Sequence, residues 1–179
     1  MDSRSAPRSE GEVHAILTDQ LAYLLDEVEA LAPVIGRVPE KILSGRPRED
    51  EWSIKEIYGL IATADAQVRL PNLEYMITED EPDLAELDEA ALIGSASPWG
   101  EREIGDILQQ VRSARTALVQ FLRGLPASEW GRTGTLEGQR LAVRDYAYRI
   151  AQEDTDYFRT LGRRLHESHL TSRPQDLPK

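Results

Sequence analysis

Cysteine is absent from the 179-residue chain, which removes disulfides, thiolate metal ligands and a cysteine nucleophile together. Histidine is nearly absent too: His14, His166 and His169 are the whole supply. No continuous apolar run is long enough to span a bilayer, and the opening MDSRSAPRSEGE has no apolar core of the kind a secretory signal needs. Basic charge is in deficit, with 21 Lys+Arg against 32 Asp+Glu and a net charge of -11. The average field therefore repels nucleic acid and anionic lipid. What remains is 40% hydrophobic and 30% charged, with a mean hydropathy of -0.47. Such a chain reads as one soluble domain, expected in the cytoplasm, with neither nucleic acid nor membrane as a partner.

Helical periodicity organises it. Leu17, Leu21, Leu24, Val28, Leu31 and Ile35 alternate in steps of three and four, one face of a long first helix from about Glu12. Pro33 and Pro39 end it and restart a short turn that closes near Leu43, and SGRPREDE is a loop. Ser53 with Glu56 three residues on forms a capping box, and Trp52 with Ile57 a hydrophobic staple. The second helix carries Ile54, Ile57, Ile61, Ala64 and Val68, meets Pro71 where a kink is expected, and resumes through Leu73 and Met76. Residues 79–100 read as a long acidic connection with a short helical turn near Leu87–Leu92.

A third helix from about Glu101 to Gly124 holds Ile104, Leu108, Val111, Leu118 and Leu122, with Arg115 on the same stripe. Gly131 to Arg140, with three glycines, reads as a loop, and no segment shows useful strand-like alternation. The last helix, about Leu141 to His166, has the stripe Val143, Tyr146, Ile150, Tyr157, Leu161 and Leu165, and Glu153 occupies the gap in it. Four amphipathic helices imply an all-α four-helix bundle over residues 12–166, with a disordered segment 1–11, a mobile tail 167–179 and a long connection between helices two and three.

Three stretches carry a resemblance: RPREDEWSIKEIYGLIATADAQ (Arg46–Gln67), ITEDEPDLAELDE (Ile77–Glu89) and ALVQFLRGLPASEWGRTGTLEGQRLAVRDYAYRIAQEDTDYF (Ala117–Phe158). In order and at this spacing they resemble the DinB-like family of helical bundles. The resemblance implies a divalent metal held by three histidines, one on the second helix and two at i and i+4 on the last, in relatives that include thiol-dependent S-transferases and a maleylpyruvate isomerase. Carried over residue by residue, those positions hold Leu60, Glu153 and Tyr157. All three imidazoles are missing, so no metal cofactor is expected at the family's site.

A carboxylate on an apolar stripe needs a partner. Arg115 on the third helix is the expected one, making an Arg115, Glu153 and Tyr157 cluster in place of the metal; snorkelling of Arg115 to solvent, with Glu153 at the rim, is the competing reading. Glu153 with Asp65 or Asp156 could instead form a carboxylate site for Mg²⁺ or Mn²⁺. His166 and His169 read as a solvated pair. Tyr146, Tyr148, Tyr157, Trp52 and Trp130 are candidates for lining a pocket, or plain core. No nucleophile-elbow, phosphate-loop or zinc-protease motif is present. The expected function is a non-catalytic small-molecule-binding or interaction protein, with a thiol-dependent S-transferase or metal-dependent hydrolase of remodelled site as the alternative. A homodimer through the first helix is compatible.

Overall fold

The computed structural model describes residues 9–91 and 99–171. Helix α1 spans Glu10–Ile35, α2 Glu40–Ser44, α3 Ile54–Ala64, α4 Leu70–Thr78, α5 Ile104–Gly124 and α6 Val143–Thr171. A single π turn, Asp65–Arg69, joins α3 to α4. The long helices α1, α3–α4, α5 and α6 form a four-helix bundle in which α5 and α6 each pack against both α1 and α3.

Local chemistry explains the boundaries. Both predicted members of the capping box at Ser53 are present, the hydroxyl accepting from the Glu56 amide at 3.2 Å and the Ser53 amide donating to Glu56 at 2.8 Å. A second capping box, Ser9 with Glu12, starts α1 at Glu10, two residues before the expected boundary. The disturbance expected at Pro71 takes the form of the π turn. Leu70 donates to the Asp65 carbonyl five residues back, and Pro71, which has no amide hydrogen, falls in the first turn of α4, where none is needed. The extra residue rotates everything after Asp65 by about 100° relative to a continuous helix.

The glycine-bearing segment expected as a loop is a two-stranded antiparallel hairpin, β1 Thr133–Leu136 and β2 Gln139–Ala142. Glu137 and Gly138 form its turn with φ of 52° and 76°, both left-handed, as a two-residue connection of this twist demands. The acidic segment after α4 docks on β1, with Leu84 donating to the Thr135 carbonyl and Thr135 to the Pro82 carbonyl, each at 2.8 Å. Gly134 permits this, since a Cβ there would lie 3.0 Å from Leu84 and 3.1 Å from the Pro82 oxygen. Of the helical turn expected near Leu87–Leu92, residues 89–91 are helical and Leu92 lies outside the described residues, as does 92–98 of the connection. Most of the expected 1–11 segment lies outside them too. At the other end α6 runs five residues past His166, and 172–179 lie outside.

Two apolar clusters fill the bundle. One gathers Leu24, Val28, Ile57, Leu60, Ile61, Val111, Tyr157 and Leu161; the other Leu17, Leu21, Leu73, Met76, Leu118, Val143, Ile150 and Ala151. On every long helix the division falls at the same level: between Leu21 and Leu24, Ala62 and Leu73, Val111 and Leu118, Ala151 and Tyr157. The residues that occupy that level are charged.

Candidate functional site: an ionic layer across the bundle core

Asp65, Arg69, Arg115 and Asp154 are buried, at 0%, 1%, 0% and 5% exposure. Arg115 projects from the middle of α5 and uses all five of its N–H donors. Its Nε and Nη2 grip Asp65 at 2.7 and 3.1 Å, Nη2 also meets Asp154 at 3.0 Å, and Nη1 donates to the other Asp154 oxygen and to the Leu21 carbonyl at 3.2 Å. Arg69, at the end of the π turn, donates through Nη1 to Asp65 at 2.8 Å and to Asp154 at 3.3 Å, and through Nη2 to Glu153 at 2.8 Å. Its Nε is buried without a partner among the described residues. The four buried residues form two cations against two anions. Glu153, at the rim, is shared between Arg69 and Arg149, the latter at 3.3 Å.

These contacts fix protonation. Burial pushes the Asp65 carboxyl upward, but Arg115 and then Arg69 outweigh it and hold it below the ordinary aspartate range. Burial likewise disfavours the Arg69 and Arg115 cations, and the facing carboxylates overcome it and raise both. Tyr157 is kept as the neutral phenol, raised by burial and by its 2.6 Å hydrogen bond to Glu89. The Arg69 guanidinium lies 6.0 Å from the Tyr157 ring centroid.

The expected cluster is thus corrected in its pairing. Arg115 is on the core stripe and does not snorkel, but its carboxylates are Asp65 and Asp154, and Glu153 and Tyr157 meet Arg69 instead. Asp65 and Glu153 do converge, on Arg69, while Asp156 is exposed and bonds Arg159 at 2.8 Å. Leu60 is fully buried in the apolar cluster that also holds Tyr157. Of the remaining candidates, Trp52 and Tyr157 line a cavity of about 310 Å³ together with Glu89 and Arg164. Tyr146 is buried and accepts from Asn72 at 2.8 Å, Tyr148 is exposed, and Trp130 stacks on His14 with centroids 4.3 Å apart. His166 is exposed, and the side chain of His169 lies outside the described residues.

Arg69 and Asp154 are the participants that sequence reasoning passed over. Arg69 sits one step off the stripe read through Val68, and only the π turn brings both inward. Asp154 is four residues after Ile150 and Glu153 three, so helical spacing alone admits either.

A metal fits this site poorly. Among the described residues no group of three or more His, Asp or Glu side chains is arranged to hold an ion. At the three positions implied as ligands stand an alkyl chain, a carboxylate already paired with two guanidinium groups and a phenol held protonated. A divalent cation would add two charges to a buried layer whose charges already balance.

No curated protein matches the chain significantly. Among solved structures the fold is similar to YfiT from Bacillus subtilis, described as a probable metal-dependent hydrolase with an unusual four-helix bundle topology, with a TM-score of 0.64, 13% identity, and 93% of this chain and 94% of that one covered. The DinB superfamily model matches residues 18–161. With bundle, motifs and family match in agreement, the chain belongs to the DinB superfamily.

Proposed function

We propose that this DinB-superfamily chain has given up the three-histidine metal site and works as a non-catalytic small-molecule-binding or interaction protein. The observation that carries the reading is the commitment of the ligand positions: Glu153 to Arg69, Tyr157 to Glu89, and Leu60 to the apolar core. In this reading the Arg69 guanidinium supplies internally the positive charge that a metal supplies in relatives.

The alternative, a thiol-dependent S-transferase or a hydrolase, requires a group able to polarise a thiol or water. Asp65 accepts from two guanidinium groups, and Tyr157 is a phenol that resists ionisation. Neither is suited to that work. The acidic balance and the lack of any described helix long and apolar enough to cross a membrane favour a soluble, cytoplasmic protein that avoids nucleic acid, and the exposed Val13, Ile16, Tyr23 and Val34 on α1 leave a homodimer open to test.

Thermal unfolding with excess EDTA, Zn²⁺, Ni²⁺ or Mn²⁺ tests the proposal. A ligand of the native state raises Tm by mass action, so an unchanged midpoint in all four supports it. A rise with one metal that Glu153→Ala abolishes overturns it.

A further inference from the structure

A cavity of about 350 Å³ opens between α3, the π turn and α5, next to the 3₁₀ turn Trp99–Glu101. Ala62, Ala66, Gln67, Trp99, Gln110 and Ser113 wall it, and Arg102 is the one charged side chain among its described lining residues. Arg102 is half-buried and held at two points: its guanidinium carbon lies 4.8 Å from the Trp99 ring centroid, and its Nη1 donates to Gln110 at 3.2 Å. It has no carboxylate partner among the described residues. Glu101, Glu103 and Asp106 are close in sequence, but all three are exposed and none lines the cavity. Residues 92–98, which precede Trp99, contain no Asp or Glu.

The open donors decide the chemistry. Nε and Nη2 of Arg102 donate to no acceptor among the described residues, and neither atom is sealed from solvent. Together they form the side edge of the guanidinium, two parallel N–H groups spaced to match the two oxygens of one carboxylate. Arg115 grips Asp65 by that edge, at 2.7 and 3.1 Å, and Arg46 grips Glu56 by it. In Arg102 the same edge is held in place by the ring and by Gln110, yet meets no carboxylate among the described residues. The rest of the lining is uncharged and largely polar. The Gln67 and Gln110 amides and the Ser113 hydroxyl donate to nothing among the described residues, whereas Trp99, 4% exposed, offers little apolar surface.

We propose that this cavity binds a small hydroxylated monocarboxylate, its carboxylate accepting from Nε and Nη2 of Arg102 and its hydroxyl groups meeting Gln67, Gln110 and Ser113. The single lining charge matches one carboxylate, and a bare hydrocarbon chain would face amide and hydroxyl groups it cannot satisfy. None of the residues of the ionic layer lines the cavity. The proposal rests on the small-molecule-binding reading, but the two fail separately: metal uptake overturns that reading, and carboxylate titration overturns this one.

The test is titration of the ¹⁵N-labelled full chain with sodium gluconate at constant ionic strength, followed by amide shifts and calorimetry, with D-glucose and sodium hexanoate as controls. The expected result is saturation with Kd of about 1 mM or tighter, shifts centred on Gln67, Arg102 and Gln110, and binding of each control weaker by about fivefold or more. Arg102→Met keeps an apolar stem on Trp99 and should weaken gluconate about tenfold or more. Arg102→Lys, which keeps the charge and loses the fork, should weaken it about fivefold. Arg102 is only half-buried, so both variants should fold; should they not, Ser113→Trp, at an exposed position on the cavity wall, decides in their place by filling it. Failure to saturate, shifts centred elsewhere, equal binding of glucose or hexanoate, or unchanged affinity in Arg102→Met, Arg102→Lys or Ser113→Trp would each overturn the proposal.

Discussion

Replacing Arg115 by Met removes the central cation of the core layer while preserving most of its length. Five hydrogen bonds disappear, and Asp65 and Asp154 are left with Arg69 alone in a setting sealed from water. Removing one partner of a buried ion pair costs about 3–5 kcal/mol, and because Arg69 still touches both carboxylates the lower end is expected, about 3–4 kcal/mol. At about 2–4 °C per kcal/mol for a chain of this size, Tm should fall by roughly 6–16 °C. The pH dependence identifies the cause. With its pKa held below the unfolded value, Asp65 contributes stability that is present above pH ~4 and lost as pH falls through the folded pKa. In Arg115→Met that pKa rises, so the gap between variant and wild type should be widest near neutrality and narrow below pH ~4. Urea unfolding at a series of pH values reads both quantities. A loss below about 1 kcal/mol at pH 7, or a gap that does not change with pH, would refute the layer as a charged structural element.

Exchanging the entire layer for apolar residues, Asp65→Leu, Arg69→Met, Arg115→Met and Asp154→Leu together, should destabilise less than Arg115→Met alone in the same urea assay, because no buried charge is left unpaired. The triple variant Leu60→His, Glu153→His and Tyr157→His should bind Zn²⁺ weakly while Arg69 stays, and more tightly once Arg69→Ala is added; calorimetry distinguishes the two. Gly59→Ala would set a Cβ 2.3 Å from the Trp99 ring, so a loss of about 1–3 kcal/mol and a red-shifted tryptophan emission are expected. Burial lowers the His14 pKa, so its contribution is present above pH ~6.5 and lost as pH falls through the folded value; His14→Phe should remove that limb from the stability profile measured by thermal melts.

The helices were legible because burial imposes a period of 3.6 that Leu17 through Ile35 keep in apolar residues throughout and Ile104 through Leu122 keep with Arg115 as the break, and because Ser53 and Glu56 announce a helix start in two side chains. The hairpin was not, for its turn is Glu-Gly rather than Asn-Gly or Asp-Gly, and its strands have four residues each with a glycine in the first. Arg115 could be read as a core charge since it interrupts an otherwise apolar stripe, whereas Asp65 was legible only as a possible companion of Glu153 and not as the partner of Arg115. Its full partnership could not be read. A π turn adds one residue without a fixed sequence signature, and the residue it turns inward is Arg69. Asp154 was hidden by its neighbour, as spacings of three and four are equally helical, and only packing against Arg115 selects it.

Elemental mass spectrometry of the untagged native protein, as purified and again after dialysis against Zn²⁺, Ni²⁺ and Mn²⁺, measures whether internal guanidinium charge has replaced a metal in this chain. Less than about a tenth of an equivalent of any metal is expected in every sample. Near-stoichiometric metal that survives dialysis and is lost in Glu153→Ala would contradict it and return a metal-dependent activity to the front.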